Sequence, residues 1–154
     1  MVIGDTGSGG AATGTITFSN GGTAINLGSN SARYDIRSGA DIMQTAAFSA
    51  GSLALSAQTG VALGSLTNSI GGALAGSSAA NGFAVKTSGN ITVGDVAGSG
   101  TTSGISSTGT GAGVTLFSVS GSINQTGGGA ISTTGTLTTT ANGGITLARS
   151  KAHV

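Results

Sequence analysis

Bulky apolar residues recur along the chain in pairs with one small or polar residue between them. The phrases are Ile16-Thr17-Phe18, Ile25-Asn26-Leu27, Leu53-Ala54-Leu55, Val61-Ala62-Leu63, Phe83-Ala84-Val85, Ile91-Thr92-Val93, Val114-Thr115-Leu116 and Ile145-Thr146-Leu147. Successive side chains of a strand point to opposite faces, so each phrase predicts a short strand with two side chains toward a core and one outward. No window carries an apolar stripe at i, i+3, i+4 and i+7, and Gly interrupts nearly every stretch of ten, which predicts little or no helix. Residues 36–47 come nearest to a helix, but Gly39 sits among them. Gly, Asn and Ser between the phrases suit tight corners, because Gly and Asn tolerate the left-handed backbone conformation. The two stretches poorest in bulky residues, 71–82 and 98–113, are predicted loops.

A long-range repeat points to stacked strands. IMQTAAFSAGSLALSAQTGVAL from Ile42 aligns with INQTGGGAISTTGTLTTTANGGITL from Ile123, matching Gln44 with Gln125, Leu53 with Leu137 and Val61 with Ile145. With roughly 20 residues per turn, the 81-residue offset between Ile42 and Ile123 makes about four turns and the whole chain about seven or eight. One turn of short strands cannot cover its own apolar face. Coaxial turns about 4.8 Å apart pair their backbones in parallel ladders and align their inward side chains, giving a rod about 35–40 Å long. The expected fold class is therefore all-β, a parallel β-helix (β-solenoid), in one domain over residues 1–154. Residues 148–154 break the repeat style and are expected to form an unstructured end.

Composition sharpens this picture. The 154 residues include 31 Gly and no Pro, Cys or Trp, and only 6% are charged, against roughly 25% in ordinary soluble domains. Disordered chains are poor in apolar residues and high in net charge, whereas this chain has a formal charge of +1 and ordered Ile, Val and Leu. It is expected to fold. The absence of Pro fits a ladder in which almost every backbone N–H is used. Without Cys there are no disulfides or thiolate metal sites. No apolar run approaches the roughly 20 residues of a membrane span, and the first residues lack the basic and apolar regions of a secretory signal peptide. The chain is expected either to stay inside the cell or to be a piece of a longer exported one.

The phrases GSINQTGGGAISTTGTLTTTANGGITL and DIMQTAAFSAGSLALSAQTGVALGSLTNSIGG resemble, in style and period, the passenger repeats of filamentous haemagglutinin-like proteins, the exoproteins and adhesins of bacterial two-partner secretion. The resemblance covers roughly residues 36–147. It implies a right-handed parallel β-helix forming part of a surface or secreted stalk, exported through an outer-membrane transporter and used in attachment to a glycan or protein receptor. This chain resembles an internal stretch of such a passenger or a small free-standing relative.

Groups able to do chemistry near neutral pH are few. The single histidine, His153, lies next to the last residue and is expected to be solvated. Ser and Thr are abundant, but a nucleophile needs a base held beside it. The carboxylates are Asp5, Asp35, Asp41 and Asp95, with no Glu, and a glycosidase would need two converging acids. Asp35 and Asp41, with Arg33 and Arg37, form the one charge-dense stretch, read as an ion-paired, solvated bend, with a weak ligand or carbohydrate contact as the alternative. Aspartates do not recur as calcium-binding repeats do. Residues 7–12 match G-x-G-x-x-A formally, but no helix pattern follows them. Five scattered basic residues and 3% aromatics provide neither the charge footprint nor the stacking platform of a nucleic-acid binder. Two sequons, at Asn90 and Asn124, are what a Thr-rich chain produces by accident. No enzyme, cofactor or metal is expected.

Three roles follow from this reading. The first is a structural stalk or attachment scaffold of an adhesin. The second is a subunit that assembles with copies of itself, or with neighbouring repeats, through open β-helix ends. The third is an ice-binding solenoid, for which Thr136, Thr138 and Thr140 make the densest local row. Asp35, Arg37, Asp41 and these three threonines are the candidate surface contacts.

Overall fold

The computed structural model describes residues 2–4, 14–28, 32–97, 101–147 and 150–152. Their regular structure is β-strand with no helix, stacked as a parallel β-solenoid of about 6 turns. In chain order, β1 (Val2–Gly4), β2 (Ile16–Phe18), β3 (Ile25–Asn26) and β4 (Arg33–Ser38) come first. Then follow β5 (Ile42–Gln44), β6 (Phe48–Ala50), β7 (Ser52–Ala57), β8 (Gly60–Ile70), β9 (Ala73–Ser78) and β10 (Gly82–Thr87). Between β11 (Ile91–Val93) and β14 (Ile105–Ser107) stand β12 (Asp95–Ala97) and β13 (Thr101–Ser103). The last turns hold β15 (Val114–Ser118), β16 (Ile123–Gln125), β17 (Ile131–Thr133), β18 (Leu137–Ala141), β19 (Ile145–Thr146) and β20 (Ser150–Ala152).

The first wall runs β1-β4-β7-β9 and continues as paired half-strands, β11-β16-β19 and β14-β17-β20. The second wall runs β2-β5-β8-β10-β15-β18, and a short third wall joins β3, β6 and the end of β8. All these ladders are parallel; β12 and β13 pair antiparallel. Parallel register stacks each inward side chain on its counterpart. On the second wall the column is Ile16, Ile42, Val61, Phe83, Val114 and Leu137. On the first wall Tyr34, Leu53, Leu74 and Val93 make one column, and Ile36, Leu55, Gly76, Ile105 and Ile131 another. Together with Phe18 stacked on Phe48 at 4.8 Å, these columns form one continuous apolar core.

The corners of the solenoid are polar inside. Ser38, Ser78, Ser107 and Thr133 lie in one inward column, with Ala57 between the first two; Ser78 Oγ bonds Ser107 Oγ at 3.0 Å and Thr133 Oγ1 donates to the Ala112 carbonyl at 2.7 Å. At the opposite corner Asn68 and Gln44 exchange amide hydrogen bonds of 2.9 and 3.2 Å. A corner turns backbone groups out of the ladder, so buried hydroxyls and amides supply the missing partners.

Several expectations need correction. The strands number about six turns rather than seven or eight, a stack of about 30 Å at 4.8 Å per turn. Turns are longer than assumed: successive residues of the second-wall column, Ile16, Ile42, Val61, Phe83, Val114 and Leu137, stand 26, 19, 22, 31 and 23 apart. The stretch 71–82, read as a loop, holds β9, whose Leu74 and Ala75 are fully buried. Its small residues are required there, because the Phe83 ring occupies the space beside Gly76. The stretch 98–113 likewise contains β13 and β14, with Ile105 in the core; residues 98–100 lie outside the described ones. Ser150–Ala152, expected in the unstructured end, pair with β17 as β20.

The long-range repeat has a different meaning from the one first read. Ile42 belongs to the second-wall column, whereas Ile123 stacks between Ile91 and Ile145 on the first wall. Matched residues therefore lie on different walls and are out of phase. What they share is local: Gln44 Nε2 reaches the Ala46 carbonyl at 3.4 Å and Gln125 Nε2 the Gly129 carbonyl at 2.6 Å. A glutamine leaving a strand braces the following turn in both places, so the sequence similarity reports a repeated strand-to-turn solution.

Candidate functional site: the outer wall

Because inward positions are filled by the core columns, any ligand meets the outward ones. On the second wall the outward column reads Thr17, Met43, Ala62, Ala84, Thr115 and Thr138. Beside it Lys86, Phe117 and Thr140 stack in register, with the Lys86 ammonium 5.4 Å from the centre of the Phe117 ring. That cation–π contact links residues 31 apart in sequence, and no local pattern could have shown it. On the first wall Arg37 heads an outward row that continues over successive turns with the hydroxyls of Ser56, Ser77, Ser106 and Ser132. Ser56 falls two positions beyond Ala54, the middle of Leu53-Ala54-Leu55, and so outside the repeated phrase.

The six candidate contacts divide among three places. Asp35 and Arg37 face outward from β4. Arg37 grips the carboxylate with Nε at 3.1 and 3.2 Å and Nη2 at 2.7 Å, the bidentate arrangement a planar guanidinium favours. Asp35 is buried while Arg37 is about one-third exposed. Asp41 stands at the corner between the first and second walls, where its carbonyl accepts from Ile16 N at 2.9 Å and from Ser38 Oγ at 3.0 Å. Thr136 occupies the same corner, directly before Leu137, in line with Gly60, Gly82 and Gly113. Thr138 and Thr140 are exposed on the second wall, in β18. The structure thus brings Asp35 and Arg37 together and sets the threonines on another wall, with Asp41 and Thr136 sharing a corner about four turns, or roughly 19 Å, apart. His153 and residues 7–12 lie outside the described residues.

Two consequences can be tested directly. Arg37→Ala, which takes the guanidinium from a buried carboxylate, is expected to lower stability by about 1–3 kcal/mol, the scale for a hydrogen-bonded charged group, with part of the difference gone in 1 M salt. Urea denaturation at two salt concentrations reads this, and a salt-independent loss would show that packing of the arginine stem matters instead. Ice binding needs threonines in register over several turns, yet the second wall offers only Thr115 and Thr138 on adjacent strands, while Thr140 stacks on Phe117. The purified chain is expected to show no thermal hysteresis at millimolar concentration.

A hairpin escaped the sequence reading. β12 and β13 rise from the first wall between β11 and β14 and fold back across the outside of β9 and β7, where Val96 packs on Ala54 and Ala75. These two alanines point outward in their strands and are nonetheless fully buried. The signal that could have found it is the alternation of Asp95-Val96-Ala97 and Thr101-Thr102-Ser103 around Gly98-Ser99-Gly100. Among the described residues no three of His, Cys, Asp and Glu come together as a metal site would require.

Comparison with known proteins leaves the fold to stand by itself. No protein-family model matches the chain, and no curated protein or solved structure matches it.

Proposed function

We propose that the chain is a structural β-helical segment of a bacterial surface or secreted adhesin or exoprotein, acting as a stalk or attachment scaffold. The observation that carries this reading is the division of labour between faces: the apolar column from Ile16 to Leu137 runs unbroken through the second wall as part of one continuous core, while the outer walls are predominantly Ala, Ser and Thr. Such a rod holds length and stiffness through parallel backbone ladders, and its surface offers hydroxyls in place of converging acids and bases. The passenger-like phrases between residues 36 and 147 support the same role. Export through an outer-membrane transporter and attachment to a glycan or protein receptor are parts of this proposal.

Antibody raised against the purified chain tests it. Labelling of the outer surface or the culture medium of the producing cells is the expected result; label confined to the cell interior would sink the reading. A second reading, assembly with copies of itself, is favoured by one observation. Ile91 and Ile123 are buried, but Ile145, next in the same column, is 44% exposed, so a further parallel turn, from whatever source, would cover it. Negative-stain microscopy over a concentration series distinguishes this reading, since particles of one small size at every concentration exclude it.

A further inference from the structure

The hairpin β12–β13 joins the stack in an unusual manner. In β9, Leu74 and Gly76 are two residues apart, yet their partners on the next turn, Val93 and Ile105, are twelve apart. Ten extra residues leave and re-enter the wall opposite the single residue Ala75 without shifting either inward column. Two glycines make this junction. Gly94 N donates to the Leu74 carbonyl at 3.1 Å, Gly76 N donates to the Gly104 carbonyl at 2.8 Å, and Gly104 N closes the neck on the Gly94 carbonyl at 3.0 Å. Gly104 has φ +66°, and a Cβ there would collide with the Ala130 carbonyl oxygen of the next turn. The neck is therefore fixed into the ladder on both sides, and the hairpin does not swing freely from it.

From this neck the hairpin reaches in both directions along the rod. Toward the amino-terminal end, Val96 covers Ala75 on the adjacent turn and Ala54 on the one beyond. Toward the carboxy-terminal end, the Asp95 carboxylate lies over residues 127 and 128, with Oδ2 3.4 Å from Gly128 N. A Cβ on Gly128 would stand 2.5 Å from Asp95 Oδ1, so glycine there leaves the carboxylate its seat. One excursion thus touches four consecutive turns: those of β7, β9, β11–β14 and β16–β17.

We propose that the β12–β13 hairpin is a lateral staple, an insertion whose task is to lock four adjacent turns of the solenoid against separation. A stack of turns is otherwise held only by nearest-neighbour contacts, so opening can start at any weak interface and spread. β9, built of Ala, Gly and Ser beside a single Leu, supplies little apolar contact of its own. A brace across its outer face compensates there. The inference rests on the fold alone and holds whatever the rod attaches to.

Hydrogen exchange of the intact chain, read by mass spectrometry, tests it. Val96→Asp places a charge against Ala54 and Ala75, and is expected to speed exchange in β7, β9 and residues 126–130 at least tenfold while β2, β5 and β18 keep their protection. Unchanged exchange in β7 and β9 of the folded variant would overturn the proposal, as would a uniform rise along the whole chain, which would mean that the hairpin adds only general stability. Should Val96→Asp fail to fold, Val96→Ala carries the same test, with an expected increase of about threefold confined to the same segments.

Discussion

Phe83→Ala is expected to lower the unfolding free energy by about 3–5 kcal/mol, the range for deleting a buried aromatic ring. Phe83 is fully buried at the middle of the second-wall column, and its ring crosses the interior to lie against Gly76 of the first wall. A Cβ at Gly76 would approach the ring's Cε2 to 2.7 Å and would also collide with the Leu55 carbonyl oxygen. The large residue on one wall and the absent side chain on the other are a matched pair. Removing the ring leaves a void that Gly76 cannot fill, and the parallel ladders hold both walls at fixed spacing, so collapse around the void is limited. Against a typical total stability of about 5–15 kcal/mol, this is a large fraction. Urea denaturation gives the value directly. Phe83→Leu, which keeps most of the volume, should cost about 1–2 kcal/mol, and Gly76→Ala about 1–3 kcal/mol through overpacking. A loss below about 1 kcal/mol for Phe83→Ala would contradict the placement of the ring in the core.

Asn68→Ala is expected to cost about 3 kcal/mol. Three residues of β8, those between Leu63 and Asn68 beyond the one that Lys86 faces, bulge outward, and Asn68 closes the bulge from inside. Its Nδ2 lies 2.9–3.2 Å from Gln44 Oε1 and from the carbonyls of Leu63, Leu66 and Lys86, while its Oδ1 accepts from Gln44 Nε2 and Phe48 N. Alanine leaves these groups buried without their partner, and an unsatisfied buried polar group costs about 1–3 kcal/mol, with more than one affected here. Asn68→Asp should be nearly as damaging, because a carboxylate has no N–H to give the three carbonyls. In a Gln44→Leu/Asn68→Leu double variant the loss should be smaller than the sum of the single losses, since each single replacement strands the other amide. Additive losses would show that the two side chains act independently.

These two sites mark where sequence reading stopped. Phe83 was legible as an inward residue, because Phe83-Ala84-Val85 alternates. Its partner Gly76 was not, because Ala, Gly and Ser in the 71–82 stretch carry no hydropathy signal even when they form an inner strand. Asn68 followed Thr67 and preceded Ser69 like any turn residue, and its burial depends on Gln44, 24 residues earlier. The candidate contacts fared similarly. Asp35 and Arg37 pair because they are two apart on one strand, a local relation that alternation predicts. That Thr136 shares a corner with Asp41, while Thr138 and Thr140 face another direction, follows from register across four turns.

By itself, the sequence determined the class of structure: period-two alternation, frequent Gly and the absence of Pro leave short paired strands as the economical way to bury Ile, Val, Leu and Phe. It also determined that the outer surface would be small and weakly charged. Tertiary structure alone decided the number of turns, the walls on which repeated phrases fall, the glycine that receives Phe83 and the hairpin that covers Ala54 and Ala75. The physical reason is that alternation acts between neighbours in sequence, over one or two residues, whereas stacking acts between neighbours in space, some 19 to 31 residues apart. Turn lengths vary, so the first does not determine the second.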